Sequence, residues 1–400
     1  MMQDKFETLR EEVIIPDIVM LKANDAFHMI RQEEKMNKIR KKTDTPKKSG
    51  SVKSQIRIKR IIILAAVLTF ALGTVGFAYY VKWSRGLENS LHTTEEIKAQ
   101  AIETKLADFP EQSVTINGVT VTAKQSIVDS SFAYLAFEVK GYDPPQGAEP
   151  GFDGVGVTVD GQSVNMCASF YDGVVAGEDG RPVYEDGTPL QSDENGNTIS
   201  RYIAEDGTLE YQISLALVYE NDTFIGKPVH VVLKDLGIYT GKAMPVAADV
   251  EGEWVFDWTL QGSDAIYKTE LNEKLEGTDV TVIGVEVSPI SLKAIFDAPR
   301  VTVTEQGMDE NGESFDYETY VEPPSLAGVK MKDGSFYPYL FMGPGRFGYE
   351  DENSDIYREM FAIDRILDVS QVEALLFRKD STGSTEGTAI EDRYYIVNIR

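Results

Sequence analysis

The 400-residue sequence is poor in the side chains that staple, ligate or react. It has one cysteine, Cys167, and three histidines, His28, His92 and His230. A lone cysteine closes no intramolecular disulfide. An exported chain of this kind is stabilised by its core alone, which about 300 residues can supply. That pattern suits a Gram-positive surface protein better than a eukaryotic secreted one. No histidine lies near another or near Cys167 in sequence, so the spacing of a zinc site is missing. Cations are also scarce past residue 82. Residues 83–400 hold 23 Lys/Arg against 56 Asp/Glu, a balance that repels a phosphate backbone and excludes direct nucleic-acid binding.

Catalytic patterns are thin too. Gly343-Pro344-Gly345-Arg346-Phe347-Gly348 matches G-x-G-x-x-G but belongs to no βαβ unit. Gly383-Ser384-Thr385-Glu386-Gly387 has its serine one place off a nucleophile elbow. Acid pairs are everywhere in so acidic a chain, so none singles out a glycosidase. The chain is therefore expected to be no enzyme, with no catalytic residue, no cofactor and no metal. Asp193-Glu194-Asn195-Gly196-Asn197 resembles the start of a calcium loop, but its glycine comes early and position twelve is not Glu. It reads as a turn, like the other acidic-glycine turns at Gly180, Gly187, Gly207 and Gly312.

What the sequence does have is one long apolar run. Ile61 to Val81 carries no charge, and at about 1.5 Å per residue it spans a hydrocarbon core of roughly 30 Å. Lys59 and Arg60 close one end; Tyr79, Tyr80 and Trp83 stand at the other, where amphipathic rings favour the headgroup layer. Residues 1–60 hold 15 Lys/Arg against 9 Asp/Glu, and the basic excess marks the cytoplasmic side. A cleaved signal peptide is the rival, with Gly76-Phe77-Ala78 as its cleavage site. A charged region of 60 residues ahead of the apolar run is far too long for one. A single-pass protein in the cell membrane is expected, N-terminus inside and C-terminus outside, with the lipid bilayer as its first partner.

The chain is expected to divide into five segments. Residues 1–60 form a cytoplasmic helical and basic segment, 61–82 the transmembrane helix, and 83–107 a juxtamembrane helix or stalk. Residues 108–262 and 263–400 form two β-sandwich domains, the second immunoglobulin-like. In the first segment Asp17 is a candidate N-cap. Val19, Ala23, Phe27 and Ile30 come after it in one helical stripe. An isolated helix has no core to bury that stripe, so it folds back on residues 6–15 or docks on an inner partner. In the third, Thr93 and Glu96 have capping-box spacing, and a helix to about Ala107 is expected to lift the outer part off the bilayer.

Beyond Ser113 the period is two. Val114 and Ile116, the turn Asn117-Gly118, then Val119 and Val121 read as a hairpin. Ala133, Leu135, Phe137 and Val139 form another half-buried strand, and so do Leu209, Ile213, Leu215 and Leu217. Val280 to Val287, Leu292 to Phe296, Phe315 to Val321 and Ile396 to Ile399 continue the series, which argues for sandwiches. Glu359–Leu376 reads as the one outer helix or helical turn.

Trp83-Ser84-Arg85-Gly86-Leu87 after the anchor, Asn117-Gly118-Val119-Thr120-Val121-Thr122 and Tyr134-Leu135-Ala136-Phe137-Glu138-Val139 together resemble the ectodomain called domain of unknown function 4179. Glu253-Trp254-Val255-Phe256 is similar to the strand that closes its following segment, and Asp279–Phe296 to an immunoglobulin-like domain that often comes next. The resemblance covers about residues 60–300. It implies a bacterial single-pass anti-sigma factor that restrains an extracytoplasmic-function sigma factor on the cytoplasmic side in response to an unknown extracellular ligand. It supplies no catalytic residues. The alternative is a cell-surface binding or structural protein contacting cell wall, glycan or another protein. The inner stripe Val19, Ala23, Phe27, Ile30 favours the first, because a surface protein needs few residues inside.

Overall fold

The chain divides into two units, Met1–Lys82 and Trp83–Arg400. The computed structural model describes residues 82–400 apart from 146, 178–180, 195, 218–221, 241–245, 309–313, 339 and 380–388. The apolar run 61–81, its flanks Lys59, Arg60, Tyr79 and Tyr80, and the stripe Val19, Ala23, Phe27, Ile30 lie outside the described residues. Among the described residues no helix is long and apolar enough to cross a membrane.

The second unit is mainly β. It opens on two short helices, α1 (Arg85–Ser90) and α2 (Glu95–Glu103). In chain order the first sandwich then contains β1 (Ala107–Asp108), β2 (Gln112–Ile116), β3 (Val119–Val128), β4 (Phe132–Lys140), β5 (Pro150–Val159), β6 (Gln162–Ser163) and β7 (Asn165–Phe170). After a lobe built on β8 (Val174–Ala176) and β9 (Pro182–Tyr184), it resumes with β10 (Leu209–Ala216), β11 (Pro228–Tyr239) and β12 (Val246–Thr259). One sheet runs β1-β3-β4-β10-β7, with β2 on β3; the facing sheet runs β12-β11-β5-β6. All pairings within them are antiparallel. Their inner faces meet in one core, with Val121, Leu135, Phe137, Ile213 and Leu215 from the first sheet and Val231, Leu233, Trp254 and Phe256 from the second. Trp254 is fully buried, and its indole N–H donates to the Val119 carbonyl at 3.3 Å.

The hairpin read from Asn117-Gly118 is present. Ile116 pairs with Val119, and both turn residues have positive φ, 48° and 87°, as a two-residue turn of this type requires. No atom lies within 4 Å of a Cβ built on Gly118, so replacing it brings strain without a clash. Gly118→Ala is expected to lower stability by about 1 kcal/mol, measured by urea titration. A loss several times larger would mean that the turn also packs.

The second sandwich contains β13 (Tyr267–Lys274), β14 (Thr281–Val287), β15 (Ser291–Asp297), β16 (Thr302–Met308), β17 (Ser314–Tyr320), β18 (Leu326–Met331), β19 (Phe336–Tyr337), β20 (Phe341–Tyr349), β21 (Ile356–Ile363), β22 (Val372–Arg378) and β23 (Tyr394–Asn398). Sheets β13-β14-β15-β21-β20 and β19-β18-β22-β23 enclose a second core around Val285, Phe296, Tyr357, Leu375 and Phe377. Strands β16 and β17 pair only with each other among the described residues.

Two expectations need correction here. Glu359–Leu376 is not helical: it contributes most of β21 and β22, joined by the single 3-10 turn Val369–Gln371. Strand β21 is paired on both edges and carries buried residues on both faces, so its sequence lost the alternation that marks a strand. The segment 83–107 is also no free stalk. Helix α2 starts one residue later than read, with the Thr94 side chain capping the Ile97 N–H at 3.3 Å. Leu87, Leu91 and Ala101 are buried in the protein.

Candidate functional site

The segment 83–107 enters a site that three other parts of the fold build for it. The site begins with a kink in β3. Pairing of β3 with β4 slips between Ala123 and Gln125. Such an extra residue swaps the faces taken by the rest of the strand. Val121 and Ala123 therefore point into the first core, whereas Gln125 and Ile127 fall on the opposite face, beside Tyr134 and Ala136 of β4. On that face Gln125 is almost fully buried, and its Oε1 accepts from the Ser84 N–H at 2.9 Å and from the Ser84 hydroxyl at 3.1 Å.

Trp83, expected at the headgroup layer, is instead 3% exposed. Its ring stands edge-on to Phe109 at 6.1 Å. It shares an apolar cluster with Leu87, Leu91, Phe132 and Tyr134, and with Ile290, Met360 and Ala362 of the second sandwich. The pinned Ser84 backbone holds the indole among those apolar walls.

Acids and amides from elsewhere in the fold complete the grip. The buried Glu210 carboxylate of β10 accepts from the Gly86 N–H at 2.7 Å and the Leu87 N–H at 3.3 Å, with the Gln212 amide 2.9 Å away. Burial raises its pKa. These are amide donors of the first turn of α1, which have no partner inside the helix. A Cβ at Gly86 would come within 1.9 Å of the Gln212 amide and 2.6 Å of the Glu210 carboxylate, so only glycine allows this approach. Arg85 turns the other way, towards the lobe of β8 and β9. Its Nε donates to both oxygens of Glu185 at 3.0 and 2.9 Å, and its Nη2 donates to the Arg201 carbonyl at 2.9 Å. Asn89 and the Tyr171 hydroxyl also donate to Glu185. Burial, and then the Glu185 charge, push the Tyr171 phenol well up.

The second sandwich is tied to the same place. Asp129, in the turn between β3 and β4, is fully buried. It accepts from the Ser131 and Phe132 amides at 2.8 Å and from the Ser291 hydroxyl of β15 at 2.5 Å. Burial raises its pKa. The Tyr134 hydroxyl donates to the Ile363 carbonyl at 3.0 Å, and His92 lies 3.8 Å from Asp364. Residues 83–92 thus touch both sandwiches and the lobe, with apolar burial and charge-assisted hydrogen bonds acting together.

This arrangement holds a chain segment; it does not present a reactive group. Among the described residues no cluster of His, Cys, Asp or Glu is placed to hold a metal. Cys167 is exposed on β7. The Asp193 carboxylate accepts from the Asn197 backbone N–H at 2.8 Å and side-chain amide at 3.1 Å, and Gly196 has positive φ, the geometry of a turn. Arg346 to Gly348 of the glycine pattern lie in β20, and Gly383 to Gly387 lie outside the described residues. Sequence reasoning missed Gln125, Asp129, Glu185 and Glu210. Only one signal pointed their way: β4 reads Phe132-Ala133-Tyr134-Leu135-Ala136-Phe137, apolar on both faces, so its second face also needed a cover.

No curated protein matches the chain. A crystal structure described as that of the conserved domain protein from Bacillus anthracis is similar at 10% identity and a TM-score of 0.38, over 74% of this chain and 93% of that one. The family model described as domain of unknown function (DUF4179) matches residues 53–141, from the basic flank to the end of β4, and the chain carries this domain there.

Proposed function

We propose that this chain is a single-pass membrane regulator, an anti-sigma factor whose cytoplasmic segment restrains an extracytoplasmic-function sigma factor while its outer sandwiches respond to an extracellular ligand. The observation that carries this reading is the grip on residues 83–92. A surface protein needs only a tether after its anchor. Here residues 83–92, which follow the apolar run after Lys82, are held by Gln125, Glu185 and Glu210 from separate parts of the fold. A change between the sandwiches therefore has a stiff route to residue 83. In this reading Ile61–Val81 crosses the bilayer, Lys59 and Arg60 face the cytoplasm with Tyr79 and Tyr80 opposite, and the role is non-catalytic. The DUF4179 match spans the last basic residues, the apolar run, the gripped residues 83–92 and Gln125, while Glu185 and Glu210 lie beyond it; this supports treating the apolar run and the gripped segment as one working part.

The test lies on the inner stripe. Burying Phe27 and Ile30 against a partner contributes about 1.5–3 kcal/mol each. Replacing both with Asp removes that and places charge in the contact. Phe27→Asp/Ile30→Asp is expected to release the partner and raise transcription of its regulon, with membrane insertion unchanged. Unchanged global transcription, with no sigma factor co-purifying with the wild-type chain, would sink the reading in favour of a surface-binding role.

A further inference from the structure

The second sandwich carries an arm that the grip does not use. Strands β16 and β17 form a two-stranded ribbon that pairs with no other strand among the described residues. In a two-stranded ribbon both outer edges keep unpaired backbone groups, a template for a further strand. The register identifies those groups on β17. The Val321 N–H donates to the Val301 carbonyl at 2.9 Å, and Val303↔Thr319, Glu305↔Tyr317 and Gly307↔Phe315 come at every second position. By antiparallel alternation these are the pairs that exchange hydrogen bonds. The N–H and C=O of Asp316 and Glu318 therefore point away from β16.

The side chains on the ribbon are sorted by face. Phe315, Tyr317 and Val303 share one face with Glu305. Phe315 is 50% exposed, its ring is 5.9 Å from that of Tyr317, and a Cβ on Gly307 would meet it at 3.0 Å. The Tyr317 hydroxyl donates to Glu305 at 2.8 Å, which fixes the ring. Asp316 and Glu318 occupy the other face. From Val301 to Val329 the sequence has seven acids and no Lys, Arg or His. At the end of β16 Met308 is 77% exposed.

We propose that the outer edge of β17 binds an extended cationic peptide segment, one in which Lys or Arg alternates with apolar residues, by adding it as a third strand. Cations opposite Asp316 and Glu318 would lie on the acidic face, and the alternate apolar side chains would lie beside Phe315 and Tyr317. The charge selects this occupant over a second copy of the chain. Two β17 edges paired antiparallel would set acids against acids, which opposes pairing. Backbone hydrogen bonds supply affinity in such strand addition and the alternate side chains supply specificity. This inference stands on the ribbon alone and is independent of any inner partner.

The full chain in neutral detergent is titrated into a fluorescein-labelled heptapeptide alternating lysine with valine, read by fluorescence anisotropy. Saturable binding is expected. The same peptide N-methylated on the amides that face β17 should bind the wild-type chain at least tenfold more weakly, because it keeps its charge but loses the strand. Asp316→Lys/Glu318→Lys should weaken the unmodified peptide at least tenfold, and Phe315→Ser/Tyr317→Ser at least fivefold. These positions are exposed, and unchanged melting temperatures will report that the variants fold. Absence of saturation overturns the proposal. So does an N-methylated peptide within twofold of the parent, which reduces the contact to charge alone. A chain that dimerises through β17 and is not displaced by the peptide overturns it as well.

Discussion

Glu210→Ala is expected to free the segment 83–92 from the first sandwich and to destabilise the second unit by about 3–5 kcal/mol. The carboxylate accepts from two backbone amides of α1 and lies beside the Gln212 amide. Its removal leaves these donors without an acceptor at a site where Glu210 and Gly86 are both buried. Each such loss costs about 1–3 kcal/mol, more than a hydrogen bond contributes net, because the desolvation remains when the partner is gone. Glu210→Gln keeps one acceptor oxygen and is expected to cost about half as much. Hydrogen exchange locates the effect. Amides of Gly86 to Ser90 should exchange much faster in the alanine variant, while those of β4 and β11 stay slow, because the first core packs on the other face of β10. Equal exchange at Gly86 and Leu87 in the variant and the wild type would mean that the apolar cluster around Trp83 holds the segment by itself.

The hairpin at Asn117-Gly118 is legible in the sequence because everything that specifies it is local. Positive φ at two adjacent positions and alternating valines on either side leave little else for the chain to do. Strands β2, β3, β14 and β15 are legible for the same reason: one face meets a core and the other is more open, so the period shows. Where both faces are buried the period fades. It fades in β21, which reads as helix, and in β4, which reads as half-buried although Phe132, Tyr134 and Ala136 on its outer face point into the cluster around Trp83.

The grip itself is not legible. Ser84 meets a residue 41 positions away, Arg85 one 100 away and Gly86 one 124 away. A glutamate such as Glu185 or Glu210 in a chain with 65 acids has no local mark that separates it from a solvated one. Besides the two apolar faces of β4, the local trace is Gly86 next to Arg85, a glycine in a helix, where it is less favourable than alanine. That cost is explained only once the Gln212 amide and Glu210 are found against its α-carbon.

The second sandwich should lose stability as the pH rises from about 4.5 to about 8, and Glu359→Gln should remove much of that loss. Glu359 lies on β21, 2% exposed, and its Oε2 accepts from the Leu326 N–H of the facing sheet at 2.7 Å. Burial pushes its pKa up to about 8; the Leu326 amide and the Ser325 hydroxyl oppose that shift, and the Glu322 charge adds to it. Proton counting gives the sign. Below about pH 4.5 the glutamate is protonated in folded and unfolded chains alike, and its contribution is fully present. As the pH rises from there to about 8, the unfolded chain gives up the proton while the folded chain keeps it, so unfolding is favoured by about 1.4 kcal/mol per pH unit. The loss is on the order of 4–5 kcal/mol across the window and constant above it. Glutamine does not titrate, and its Oε1 still accepts from Leu326. Asp129 and Glu210, also raised by burial, add slopes of the same sign to both proteins and cancel in the difference between them. Urea titrations of both at about pH 5, 6.5 and 8 should therefore give curves that diverge, with the variant gaining on the wild type at each step. Parallel curves would mean that Glu359 is ionised in the folded chain at neutral pH and that water reaches the seam between the two sheets.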